Sequence, residues 1–365
     1  YLKQRSKRRV FLFHGMLGTG KSMLAADVLS SEALPYLGIN LPEECKTPAD
    51  FLSLVLTAFK RSLSTDSDPS GPREALESGG KDPEGILEAV LEAAAELSDE
   101  LAEPPRGKPD IFLVVDDLDG LCGDRGFGDF LESFIEELPR EYHCILLCSA
   151  YPPGHLSRIR AEKELVELKE EDFLFTEGEL SGLAETKYRL DLDGEIIQRL
   201  KDLTEGWITA CIYLFEELYL KDEETKSRVL TRFFKTKRLS VLDEFFHEHF
   251  SSFLSGKEFV HAVTFSIFES FDSELLLYFL DSEGEELLAK LLERHLFILP
   301  SGTEGYRYHP LLREYLLKLF SNRREEEKIP HYHAAAKYFT VRRETEKAVR
   351  FYALAGSLEE AKNHF

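Results

Sequence analysis

The eight residues "GMLGTGKS", Gly15–Ser22, constrain this chain more than any other stretch. They follow the apolar run Val10–His14 and open a helix-forming run that reaches about Leu29. Glycines at this spacing permit backbone angles that a Cβ resists, so successive amides can turn inward. The helix start that follows adds free N–H groups and partial positive charge. Strand, glycine turn and helix in this register make a cradle for phosphate oxygens. Gly15, Gly18, Thr19 and Gly20 form the turn, with Met23 on the first helical turn among the nucleotide-lining residues. Lys21 is placed to neutralise β and γ phosphates, and Ser22 to coordinate Mg2+.

The flanking pattern predicts what surrounds this cradle. Tyr36–Leu41 is a second strand, and Thr47–Leu63 an amphipathic helix with a capping signal. A loop rich in Ser, Gly, Pro and Asp runs from Ser64 to Gly85, followed by a helix over Glu84–Leu101. "DIFLVVDDLDG", Asp110–Gly120, is an apolar strand ending in carboxylates; Asp129–Leu138 is helical, and Cys144–Ala150 and Leu165–Leu168 are further strands. Strands without polar alternation, separated by helices, indicate a parallel sheet covered on both faces. A carboxylate at the end of such a strand can reach magnesium beside the phosphates, which points to Asp116. Asp117 can orient or activate the attacking water if the strand stops before it, because alternation otherwise turns its side chain to the opposite face. Lys21 and Asp117 are thus the candidate catalytic groups, and Asp119 is a turn residue.

The strand Cys144–Ala150 should lie beside Val10–His14, with its end facing the γ-phosphate. Many ATPases of this build place a polar or basic sensor there; this chain has Ser149, Ala150 and Tyr151. Arg158 and Arg160 can substitute if their segment folds back, or they are surface arginines of a short helix.

Beyond Glu170 the pattern is almost entirely helical. The exception is Leu296–His309, two short strands flanking "SGTEG", which precede the helix "PLLREYLLKLF". A hairpin between helices suggests a winged helix, and from Arg323 the chain reads as paired helices. The expected organisation is a P-loop domain over 1–170, a helical domain over 171–235, a winged helix over 236–322 and the start of helical repeats over 323–365.

Composition limits the partners. The 365 residues carry a formal net charge of -22, which argues against gripping a DNA backbone. The stretch "FDSELLLYFLDSEGEELLAKLLE" makes the winged helix acidic as well, so no direct DNA contact is expected from this segment. Five cysteines without metal-like spacing suggest free thiols in a reducing, cytoplasmic compartment. No apolar run is long enough to span a bilayer. A first residue of Tyr and an abrupt end at Phe365 suggest a piece of a longer protein, whose remainder would hold input or output domains.

Several separated motifs line up in order: "GMLGTGKS", "FLVVDDLD", "YPPGHLSRIRAEKELVEL", "FLFTEGEL", "LTEGWITACIYL" and "LFILPSGTEGYRYHPLLREYL". Together they resemble the STAND-class ATPases of the MalT-like (LuxR-family large activator) group. The resemblance implies an ATP/ADP-binding, Mg2+-dependent switch with slow hydrolysis. In that family ADP holds a closed monomer, while ATP and an inducer on a C-terminal sensor favour an open, self-associating form, often with a transcriptional output. It implies that Gly206 and Trp207 lie near the adenine, with Ile208 where many members have proline. It also implies that His309 reaches the ADP β-phosphate and locks the resting form. At the strand end the family's Thr-Ser-Arg is replaced by Cys148, Ser149 and Ala150, which supports slow turnover. The competing readings are a motor or remodelling ATPase with rapid turnover, and a nucleotide-holding scaffold.

Overall fold

The structure is a computed structural model that describes residues 8–42, 44–63, 82–102, 107–121, 125–149, 156–293, 296–302 and 305–364. The chain forms two compact units, Tyr1–Leu174 and Phe175–Phe365.

Unit 1 is a five-stranded sheet. In chain order its elements are β1 (Val10–His14), α1 (Lys21–Ser31), β2 (Tyr36–Asn40), α2 (Pro48–Leu63), α3 (Pro83–Glu100), β3 (Ile111–Asp116), α4 (Arg125–Glu137), β4 (Tyr142–Cys148), α5 (Ser157–Ala161), β5 (Leu165–Leu168) and α6 (Glu170–Phe173). The strands pair in the order β2-β3-β4-β1-β5, every neighbour parallel. β1 and β4 are therefore adjacent, with His14 opposite Cys148.

Alternating side chains of these apolar strands fill two cores. Val10, Leu12, Leu113, Val115, Cys144 and Leu146 face α2, α3 and α4. Phe11, Phe13, Phe112, Ile145 and Leu147 face the other way, toward Ala25 and Leu29 of α1. The two edge strands alternate, β2 between buried and exposed positions and β5 between buried and half-buried ones, as one-sided burial dictates. Thr47 and Asp50 cap α2 reciprocally, Asp50 N–H donating to the Thr47 hydroxyl and Thr47 N–H to the carboxylate. The Tyr142 hydroxyl donates to the Ala94 carbonyl at 2.9 Å and ties β4 to α3.

Several boundaries differ from the sequence expectation, among them the start of α4, at Arg125 rather than Asp129. The strand expected over Asp110–Gly120 stops at Asp116, and a single 3-10 turn takes Leu118–Leu121. β4 begins two residues before Cys144, because Tyr142 and His143 are buried as well. Most of the loop expected from Ser64, and the sensor positions Ala150 and Tyr151, lie outside the described residues; the loop's expected last residues, Pro83–Gly85, already belong to α3, with proline at its first turn.

Unit 2 opens with α7 (Glu177–Tyr188), α8 (Gly194–Thr204), α9 (Ile208–Leu218), α10 (Glu223–Thr236) and α11 (Ser240–Phe253). Side chains of Thr176, Asp193 and Asp222 cap α7, α8 and α10. The winged helix follows as α12 (Gly256–Phe265), α13 (Ser273–Leu280), α14 (Ser282–Glu293), β6 (Ile298–Ser301), β7 (Gly305–Tyr308) and α15 (Pro310–Ser321). β6 and β7 are antiparallel, and Phe271 bridges to Tyr306 as a third, one-residue strand. The last elements are α16 (Glu325–Val341), α17 (Thr345–Leu354) and α18 (Leu358–His364). α16 packs on α17 through the stacked rings of Phe339 and Phe351, 5.7 Å apart. No helix among the described residues is long and apolar enough to cross a membrane.

Candidate functional site

The glycine turn leaves the C-terminal end of β1 and enters α1. Gly18 and Gly20 adopt φ of +74° and +92°, the left-handed region in which a side chain would be strained. Gly20 also occupies the N-cap of α1 and offers no side-chain cap, so the helix start presents backbone amides rather than a capping oxygen.

The side chains of the turn divide into two kinds. Thr19 and Lys21 are buried and bind the loop itself. The Thr19 hydroxyl donates to the Met16 carbonyl at 2.9 Å, and the Lys21 ammonium donates to the carbonyls of Gly15 and Met16 at 2.7 and 3.0 Å. Burial pulls the Lys21 pKa below its ordinary value, against the opposing influence of Asp119, Cys148, Asp116 and Glu170. Ser22 and Met23, by contrast, are exposed on the first turn of α1.

The carboxylates arrive from β3. Asp116 is its last residue, and its Oδ1 accepts the Asp117 N–H at 2.9 Å. Asp117 then takes φ +58°, so strand alternation no longer governs its side chain. Although Asp117 as a residue reaches solvent, desolvation of its carboxyl, with Asp116 and Asp119 close by, pushes its pKa up to about 6. Asp119 does more than turn the chain. Both its oxygens accept the N–H of Ser149, at 2.8 and 3.0 Å, which holds the exit of β4 against the exit of β3.

Arg158 and Arg160 are engaged elsewhere. Arg158 Nε donates to Glu132 of α4 at 3.0 Å, and Arg160 donates to Glu167 of β5 at 2.9 Å. Sequence reading passed over Glu167 and Glu170. Glu167 accepts from both Arg160 and His14, and Glu170 Oε2 accepts the Met16 N–H. In "LVELKEEDF" they look like ordinary solvated charges. Only the β1–β5 pairing brings them to the turn.

In unit 2 the residues Gly206, Trp207 and His309 come together at one buried knot. Gly206 sits at φ +88°, and a Cβ there would lie 2.7 Å from the Phe175 carbonyl oxygen. Trp207 is fully buried among Phe245, Phe246, Phe297 and His309, with ring centroids 5.0–5.7 Å away. His309 is fully buried too and caps α15. Its Nδ1 accepts the Leu311 N–H at 3.3 Å, and its Nε2–H donates to the Thr204 carbonyl at 3.0 Å. These partners require the neutral imidazole protonated on Nε2. Burial pushes its pKa down to about 4. Arg307, two residues earlier in β7, pairs with Glu205 at 2.8 Å.

A groove of about 470 Å³ in unit 2, floored by Leu190, Ile196, Leu230 and Phe234, contains none of the residues singled out from the sequence. Among the described residues no cluster of three His, Cys, Asp or Glu side chains could hold a metal ion. Magnesium on a polyphosphate needs no such cage: one hydroxyl and one carboxylate beside the phosphate oxygens suffice. Ser22 on the first turn of α1 and Asp116 at the end of β3 are a hydroxyl and a carboxylate of that kind.

Residues 4–146 match the AAA domain family, and residues 259–328 match the MalT winged helix domain. Over 259 residues the chain is 23% identical to the HTH-type transcriptional regulator MalT of Yersinia pestis (strain Pestoides F), covering 68% of this chain and 28% of that protein. The regulator of the same name from Serratia proteamaculans (strain 568) is 23% identical over 217 residues, 56% of this chain and 23% of its own length. The chain thus spans less than a third of the curated relatives it matches. A Walker-type ATPase of Pyrococcus abyssi shares the fold at a TM-score of 0.54 and 16% identity, covering 86% of this chain and 93% of that one.

Proposed function

We propose that this MalT-like chain, an AAA-type P-loop domain followed by a winged helix, is an ATP/ADP switch with slow hydrolysis that serves a cytoplasmic regulator of transcription. The observation that supports it most is the left-handed glycine turn feeding an uncapped helix start, next to the carboxylates that end β3. In this reading the amides of Gly18–Ser22 and the Lys21 ammonium hold the phosphates. Ser22 and Asp116 would hold Mg2+, which offsets charge on the β and γ oxygens. Asp117, ionised above a pKa of about 6, orients the attacking water and takes up its proton.

The ADP form is the closed resting state, and the ATP form is open and self-associating. An inducer binds a sensor outside this chain. A nucleotide can shift such an equilibrium only through a contact that differs between the two forms. Gly206 and Trp207 form the adenine-side turn, and His309 is the group that differs. Its Nε2–H exchanges the Thr204 carbonyl for a phosphate oxygen of ADP, which requires the knot to loosen.

The test is nucleotide affinity and self-association of the 365-residue chain and of His309→Ala. The expected outcome is a weaker ADP preference and easier assembly with ATP in the variant. An unchanged preference together with unchanged assembly would remove His309 from the switch. Rapid steady-state phosphate release by the wild-type chain would favour a motor instead.

A further inference from the structure

We infer that Glu170 is a positioning residue for the phosphate loop, and that through it the loop is tied to the segment by which the chain leaves unit 1. This rests on the nucleotide-binding reading of Gly15–Ser22. β5 runs alongside β1 with Phe13 opposite Leu168, so the residues after β5 meet the residues after β1. α6 begins there, at Glu170.

Three contacts join the two segments. The Met16 N–H donates to Glu170 Oε2 at 3.2 Å. A Cβ on Gly15 would stand 2.9 Å from Glu170 Cα, so the backbones meet without room for a side chain. One residue pair earlier, His14 Nε2 meets Glu167 Oε1 at 2.8 Å. The charge of Glu170 is also felt by Lys21. α6 itself is anchored, because its Phe173 ring lies 5.6 Å from Phe13 of β1. The Met16 carbonyl, at the same residue, accepts from both Thr19 and Lys21. Glu170 therefore fixes the Gly15–Met16 peptide, whose carbonyl accepts from Lys21, next to the Met16 carbonyl that accepts from both Thr19 and Lys21. Unit 1 ends four residues later, at Leu174. The loop cannot change its curvature around a phosphate without pulling on this exit segment.

The experiment uses the 365-residue chain, with a fluorescent ADP analogue and Mg2+ as the probe. Glu170→Ala removes the acceptor. Glu170→Asp keeps the charge and the helix start but falls short of the Met16 amide. Glu170→Gln keeps an acceptor oxygen at the right reach. Loss of one hydrogen bond to a charged group predicts ADP affinity about tenfold weaker in the Ala and Asp variants and within about threefold of wild type in Gln. Melting of the nucleotide-free protein stays within a few degrees in Asp and Gln. ADP slows amide exchange over residues 168–175 in wild type and in Gln, and much less in Asp.

Wild-type affinity and the same ADP-dependent protection in Glu170→Asp would overturn the inference. So would a loss of affinity in Asp matched by an equal loss in Gln and a lowered nucleotide-free melting temperature, which marks a structural role only. If the wild-type chain fails to bind, or Lys21→Ala binds equally well, the nucleotide reading itself falls and this inference falls with it.

Discussion

The phosphate loop and the Thr204–His309 knot are both turns marked by glycine, and they use their polar groups in opposite ways. In the loop Thr19 and Lys21 brace the carbonyls of Gly15 and Met16, while Ser22 and Met23 at the start of α1 are exposed. In the knot Trp207 and His309 have no exposed surface, and both imidazole nitrogens are bonded within unit 2. The first arrangement suits a ligand that arrives from water. The second holds a helical domain and a winged helix together, and any ligand must compete with bonds already made. Motif spacing alone does not separate the two; burial does.

Several changes would sharpen or break this contrast. The largest effect should come from Trp207→Ala. Removing a fully buried indole costs about 3–5 kcal/mol and should lower the melting of unit 2, followed by far-UV circular dichroism, and ADP binding should weaken even below that transition. Unchanged ADP binding in the still-folded variant would take Trp207 out of the adenine-side turn.

Asp117→Asn comes next. General-base catalysis contributes roughly 100-fold or more, so phosphate release should fall by that order while ADP affinity changes little. In wild type the rate should decline as pH drops through about 6, where the carboxylate is protonated, and the Asn variant should lack that limb.

Acid should act on the knot in a different window. The folded pKa of His309, about 4, lies below its unfolded value near 6.5. Its contribution is therefore fully present above pH 6.5 and is lost as pH falls from 6.5 toward 4, on the order of 3 kcal/mol at most. Chemical denaturation across that range checks this, and His309→Gln should flatten the slope.

The smallest effect belongs to Arg307→Ala. The Arg307–Glu205 pair is about one-third exposed on both sides, so its loss should cost about 1 kcal/mol or less. A larger cost would mean that this pair, rather than the buried ring, holds the winged helix to the Thr204 turn.

The sheet was legible because its central strands are buried on both faces and leave unbroken apolar runs, as in Ile111–Val115 and Ile145–Cys148. Strand ends were less so. Nothing in "DDLDG" announces the left-handed Asp117, which decides where its carboxyl points. The paired helices read from Arg323 onward are α16, α17 and α18, and the left-handed Gly356, at φ +73°, separates the last two. The phosphate loop itself is local chemistry, visible in eight consecutive residues. Its supports, Asp119, Glu167 and Glu170, are invisible to local reading because they lie far from the loop in sequence and resemble surface charges. Only the strand order brings them to it.

Trp207 is the single tryptophan of the chain, and it sits against the imidazole of His309. Nature has thereby installed a reporter at one point. Excitation at the red edge of indole absorption selects this one ring over the 14 tyrosines, and a protonated or displaced imidazole alongside it would quench or restore its light. The packing that keeps the residue dark to solvent makes its fluorescence a gauge of whether the knot is tied.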